Sequence, residues 1–446
     1  MSQHDLIEVH DTGVRRLRRL CRARGANKRK RTMKAARRRN VAGEYDMLKI
    51  NEPLGSGASK PASGLPILRL GFRPFYLGGA LFALVGIVLW LSALHGRGDA
   101  GRSGPMSGVV WHVHEMLFGF VAAIVVGFLL TAVRAWTSRP TPTGASLGAL
   151  WLLWAAGRIL IWTGPEALAA VVDIAFLPIV AALLLRVLIA AKNRHNIFLP
   201  LALALFGALN ALFHWYAWEG RADLALRVAY AATGLVIMFV SVITGRVVPM
   251  FTTNAIEGFT VKRWPLIDAW AGPAPLITLS IDAAGAPAAA VIVCAVATAL
   301  IHAVRIAGWR SWRVGPRPIL WVLHVACIWI PVGFALLACA AANLVAHSLA
   351  IHALTVGAMG GAIIAMITRT ALGHTGRMLT AGPFEIASYW LMIVAALARV
   401  FGPLVWRDAA AIWIDVAGAA WCAAFIVYVV RYAPYLLSPR IDGKPG

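Results

Sequence analysis

From Phe75 to Arg431 the chain repeats one unit, an apolar run of roughly 17–25 residues followed by a short polar break. Runs of that length cross the roughly 30 Å of a bilayer's hydrocarbon as helices. The pattern predicts twelve spans, over about 75–95, 111–133, 146–163, 167–190, 197–217, 223–245, 265–283, 286–306, 319–340, 345–367, 383–403 and 409–431. The expected fold is all-α, a polytopic membrane bundle of about twelve transmembrane helices within residues 71–435. Residues 436–446 form a short tail, and residues 1–70 are polar, basic and rich in Gly and Ser. Such an arm cannot bury a core and is expected to be disordered.

The breaks test the count, because Lys and Arg favour the cytoplasmic loops. One set of alternate breaks holds the arm, Arg134 and Arg139, Lys192 and Arg194, Arg246 with Lys262 and Arg263, Arg310, Arg313 and Arg317, Arg369 and Arg377, and the tail. The other set holds Arg97 and Arg102, Glu166, Glu219 and Arg221, Asp282 and Arg407. Both termini are therefore expected in the cytoplasm, with the sparse loops outside. No secretory signal precedes the first span, which is of full length.

Composition agrees with the pattern. The chain is 60% hydrophobic and 14% charged, with mean hydropathy +0.72. A soluble domain carries about 25% charged residues, so a soluble enzyme is excluded. The net charge of +23 falls to about +14 without the first 46 residues, and the remaining bases cluster at the ends of apolar runs. That placement marks topology, and no nucleic-acid partner is expected. Run Lys28-Arg29-Lys30-Arg31 and triplet Arg37-Arg38-Arg39 suit a topology-fixing tail or a contact with anionic lipid; Met47 would also make an ordinary start. The five cysteines lie far apart without CxxC spacing, which argues against disulfides, zinc ribbons and covalent haem attachment.

A weak internal repeat links distant spans. Span two carries His114 five residues before Gly119, and span ten carries His352 five residues before Gly357. The hairpin of spans three and four sets Arg158 and Asp173 on either side of its turn, and that of spans eleven and twelve does the same with Arg399 and Asp415. Intramembrane charges are costly unless paired, so these four are expected to form structural ion pairs. The pattern suggests three four-helix units.

On this topology His95, His112, His114, His214, His347 and His352 fall at or just inside the outer ends of their spans. His112 and His114 are about 200° apart round a helix, and His347 and His352 about 140° apart. Such spacing suits ligands of two different centres, or one ligand and one residue behind it. Neutral imidazole is the usual protein ligand of b-type haem and suits copper as well. Two helices that each bring a His to one depth are the minimum for a membrane haem, and His114 with His352 meet it. His112, His214 and His347 remain for copper or a second haem. Glu115 could orient an imidazole, relay a proton or bind copper. On the inner side His374 and Arg246 are expected in short loops with glycines and a proline, where they could contact propionates or anions.

The segments LRLGFRPF from Leu68, WHVHEMLFGF from Trp111, GFLLTAV from Gly127, GRVVPMFT from Gly245 and HALTVG from His352 resemble the NnrS family. So does the stretch from Met366 to Arg377, which ends in Gly373-His374-Thr375-Gly376-Arg377. The resemblance runs from about Leu68 to about Tyr432 in order. It departs at Arg134-Ala135, where Pro-Asn is more usual, and at Thr253, where Arg is expected. It implies a bacterial inner-membrane protein that contains haem and copper and serves the response to nitric oxide and nitrosative stress. Carried over, the recurrent histidines are His112, His114, His214, His352 and His374, with Glu115, Arg73, Arg246 and Arg369 as companions. His347 lies outside that set.

Three readings follow. In the first, haem on His352 and His114, with copper on His112, His214 or His347, binds or detoxifies nitric oxide within the bilayer. A redox enzyme akin to haem–copper oxidases is the second, but spans six and seven lack the histidines its copper would need. The third is a transporter for a small solute or metal, for which a broken helix near Gly272 to Pro287 would speak.

Overall fold

The computed structural model describes residues 64–97 and 106–444. The disordered arm expected over residues 1–70, the alternative start at Met47 and the loop residue Arg102 lie outside the described residues, save for the arm's last seven positions. There Pro66–Leu68 make one 3-10 turn, and the Leu68 carbonyl accepts from the Gly144 N–H at 2.8 Å.

All regular structure among the described residues is helical. We number the helices α1 Phe72–Leu94, α2 Gly108–Thr137, α3 Ala145–Thr163, α4 Glu166–Ala190, α5 Phe198–Trp218 and α6 Ala222–Ala255. Then come α7 Pro265–Trp270, α8 Pro273–Ala283, α9 Ala288–Gly308, α10 Pro318–Ala341, α11 His347–His374, α12 Pro383–Val405 and α13 Ala410–Leu437. Eleven segments are long and apolar enough to cross a membrane. The chain is a polytopic membrane helix bundle. Its twelfth apolar run, 265–283, is divided between α7 and α8, each too short to span alone.

The break has a physical cause. Gly272 and Pro273 interrupt the run, and Pro supplies no N–H to continue a helix. The Ala271 carbonyl left at the break accepts from Ser241 Oγ on α6 at 2.6 Å. Arg305 on α9 donates from Nη1 to the Ser241 carbonyl at 3.0 Å and from Nε to Asp268 Oδ1 on α7 at 3.0 Å. Protein groups thus satisfy the broken backbone, as irregular chain at membrane depth requires. Gly245 makes this possible, because a Cβ there would collide with the Arg305 guanidinium.

At the end that carries the termini, Arg73 on α1 donates to the carbonyls of Leu436 and Ser438 at 2.8 Å each, and Arg246 on α6 donates to Asn196 Oδ1 before α5 at 3.0 Å. At the opposite end His95 after α1 meets Asp415 on α13 at 2.8 Å, and His347 on α11 meets Asp282 on α8 at 2.9 Å. The expected pairing of Arg399 with Asp415 is not the one formed, since Asp415 is taken by His95. Arg399 makes no hydrogen bond or ion pair among the described residues.

Two helices are irregular in the same way. In α2 a π-helical stretch, Glu115–Val121, begins directly after His114. In α11 another, Ala353–Gly360, begins directly after His352. π-helical turns are rare and concentrate at functional sites.

Candidate metal centre

His114 lies at the last α-helical position before the first π stretch and is fully buried. Its Nδ1 is 2.8 Å from Glu115 Oε1. Its Nε2 is 3.0 Å from Asn210 Oδ1 on α5 and 3.2 Å from Asp173 Oδ2 on α4. His214, one turn beyond Asn210, brings Nε2 to 3.0 Å from the same Asp173 oxygen. The two imidazole rings sit edge to face, with centroids 4.8 Å apart.

Arg158 of α3 ties the carboxylates together. Its Nη1 donates to Glu115 Oε1 at 2.6 Å, and its Nη2 pairs with Asp173 Oδ1. The Asn210 amide donates to Asp173 Oδ2 at 2.7 Å. Glycines admit these groups to the bundle interior. A Cβ on Gly119 would collide with the Arg158 guanidinium and the Phe82 ring, and one on Gly157 would press on Asp173. The Gly119 carbonyl, at the wide turn, accepts from Trp154 Nε1 at 3.0 Å.

His114, Asp173 and His214 each offer a ligand atom, and these atoms lie within 4.8 Å of one another. Two carboxylates against one guanidinium leave one negative charge in a buried site. A proton or a metal cation can supply the balance, and an unbalanced charge there would be expensive. The set has the composition of a metal centre: two imidazoles, one carboxylate, and hydrogen-bonding partners behind His114 and Asp173 that fix their orientation.

The remaining histidines of this end go elsewhere. His112 stacks on Trp90 of α1 with ring centroids 4.6 Å apart, and its buried Nδ1 has no hydrogen-bond partner. His352 donates from Nδ1 to its own helix, at the Ser348 carbonyl 2.6 Å away. In a neutral ring that leaves the lone pair on Nε2. His112 and Arg399 lie within electrostatic reach of His352. The structure therefore groups His114 with His214, and His352 with His112 and Arg399. His347, bonded to Asp282 and packed on Tyr230 at 4.6 Å, belongs to neither group.

The positions at the other end are structural in their contacts. Arg73 caps the C-terminus of α13, Arg246 also meets His195 Nε2 at 3.0 Å, and Arg369 lies 3.6 Å from the centroid of the Phe251 ring. His374 packs on Phe72 with centroids 5.4 Å apart. Sequence reasoning missed Asn210 and Trp90. An asparagine in the middle of an apolar run is a usable signal, because its amide must find partners. Nothing local marks Trp90, one tryptophan among 18.

The model of the NnrS protein family matches residues 66–440. The chain belongs to the NnrS family. That match covers every helix from α1 to α13 and both histidine groups. No curated protein is similar enough to match the chain. The motif that opens α2 in this NnrS-family chain now has a physical reading: His112 and His114 face two different groups, Glu115 holds His114 and Arg158, and Gly119 makes room for Arg158.

Proposed function

We propose that this chain is a metalloprotein of the bacterial inner membrane that binds nitric oxide at one end of its helix bundle, in the response to nitrosative stress. The observation that carries the reading is the buried His114, Asp173 and His214 cluster, built on three helices inside an apolar bundle. Nitric oxide is small and apolar enough to enter from lipid, so a site at this depth needs no aqueous channel. The charge of the loops supports termini in the cytoplasm, with the metal end toward the periplasm.

Haem, implied by the family resemblance, fits the second group better than the first. Both ring nitrogens of His114 are engaged by Glu115, Asn210 and Asp173, whereas His112 Nδ1 and His352 Nε2 are free of partners. Arg399 lacks a counter-charge, as a guanidinium awaiting a propionate would. His352 and His112 would hold the haem, Arg399 would orient it, and the surrounding apolar helices would exclude water. When bound, haem supplies an iron that takes a diatomic ligand. The family resemblance also implies copper, and a second metal, besides the haem iron, would lie on His114, Asp173 and His214.

A reduced-minus-oxidised optical spectrum of detergent-purified protein, with metal analysis, tests this. A b-type spectrum is expected in wild type and lost in His352→Ala, with the metal of the His114 group retained. Folded, haem-supplied wild type without haem absorbance would sink the haem part. The transporter reading would then regain ground through the broken α7–α8 element.

A further inference from the structure

The donor set at His114 says which metal it suits. It holds two imidazole nitrogens and one carboxylate oxygen, with no thiolate or thioether. The free cysteines among the described residues, Cys294, Cys327, Cys339 and Cys422, stand on α9, α10 and α13, outside the cluster. The Met116 sulfur faces Gly86 of α1. Cuprous copper selects soft sulfur ligands and cupric copper a square-planar or tetragonal set of donors, whereas two histidines and one carboxylate with open positions are the signature of non-haem iron(II).

The carboxylate is presented in a defined way. Asp173 Oδ1 is held by Arg158, so Oδ2, which faces both histidines, is the oxygen left to bind a metal. One carboxylate oxygen and two nitrogens occupy three coordination positions and leave others open to a small ligand. Zinc accepts the same donors, but it is a closed-shell ion with no redox chemistry, which suits poorly a site that captures a radical gas. We infer that His114, Asp173 and His214 form a non-haem iron(II) site, distinct from the haem group and open to nitric oxide. The inference rests on the proposed function in taking this cluster as a metal centre and nitric oxide as its ligand.

The test uses the full chain with its haem, purified anaerobically from cells supplied with iron, copper and zinc. Iron is expected in excess of haem by an amount equal to the chain. Nitric oxide added to the reduced protein should then give the high-spin electron paramagnetic resonance signal of a non-haem ferrous nitrosyl, separate from that of haem. His214→Ala should lose the excess iron and that signal while keeping its haem spectrum, and His214→Gln serves if the alanine variant does not fold. Asn210→Ala, which removes a partner of both His114 and Asp173, should retain iron about 10–100-fold more weakly. Copper or zinc in place of the excess iron, removed by the same His214 substitution, would overturn the iron assignment and leave a metal site standing. Folded, haem-loaded wild type with no metal beyond its haem would overturn the cluster as a metal centre, while the haem part of the proposed function would stand on its own spectrum.

Discussion

Both ends of this bundle bury polar side chains, and they use them in opposite ways. At the end that holds the termini, arginines discharge onto the fold itself. Arg73 binds backbone carbonyls of α13, Arg305 binds the Ser241 carbonyl and Asp268, and Arg369 lies on the Phe251 ring. At the far end the polar groups bind one another in a closed network around His114, or stand open as His112, His352 and Arg399 do. The buried polar residues of this bundle are therefore of two kinds, those that finish the backbone's hydrogen bonds and those that hold something else.

Removing one cation from each end separates the two kinds most sharply. Arg158→Ala strands two buried carboxylates and is expected to cost about 3–5 kcal/mol. Arg369→Ala loses a cation–π contact worth about 0.5–2 kcal/mol. Thermal unfolding in detergent compares them, and equal losses would erase the distinction. Asn210→Leu comes next, since it leaves His114 Nε2 and Asp173 each short of a partner; about 1–3 kcal/mol is expected in the same assay. Gly245→Ala probes the opposite end, where the added methyl must displace the Arg305 guanidinium. Overpacking of this sort costs about 1–3 kcal/mol, with metal content at the far end unchanged.

The smallest effect lies outside the bilayer. Asp442, paired with Arg440 at 2.7 Å, is held down from its ordinary value to about 2. A carboxylate with a lowered folded pKa stabilises above its unfolded value, and that contribution disappears as the pH falls through about 2. Because the pair is exposed, Asp442→Asn should change stability at neutral pH by no more than ~1 kcal/mol, which a pH series of unfolding temperatures checks.

Much of the architecture was legible in the alternation of apolar runs and polar breaks. The run 265–283 shows the limit, because hydropathy is blind to a break whose Ala271 carbonyl is satisfied by Ser241 of α6, with Arg305 of α9 tying Ser241 to Asp268. The site was legible by depth and angle. About 200° between His112 and His114 can be counted from their numbers, and in the structure the rings face Trp90 on one side and His214 on the other. Partner choice was not legible, since Asp173, Asn210 and His214 reach His114 from other helices, with Asn210 and His214 37 and 41 residues from Asp173 along the chain. The wide turns after His114 and His352 were marked only by the shared spacing to Gly119 and Gly357, which does not by itself specify a π-helical stretch.

Those wide turns bear on how the bundle breathes. A π-helical stretch pairs each N–H with a carbonyl five residues back rather than four, and proteins open locally in the units where their stability is lowest. Amide hydrogen exchange should therefore enter α2 and α11 from their middles, at Glu115–Val121 and Ala353–Gly360, rather than fray inward from the ends. The stiffest part of an ordinary membrane helix would then be the most yielding part of these two. A molecule dissolved in lipid could pass there on the timescale of a local fluctuation, with the rest of the scaffold at rest.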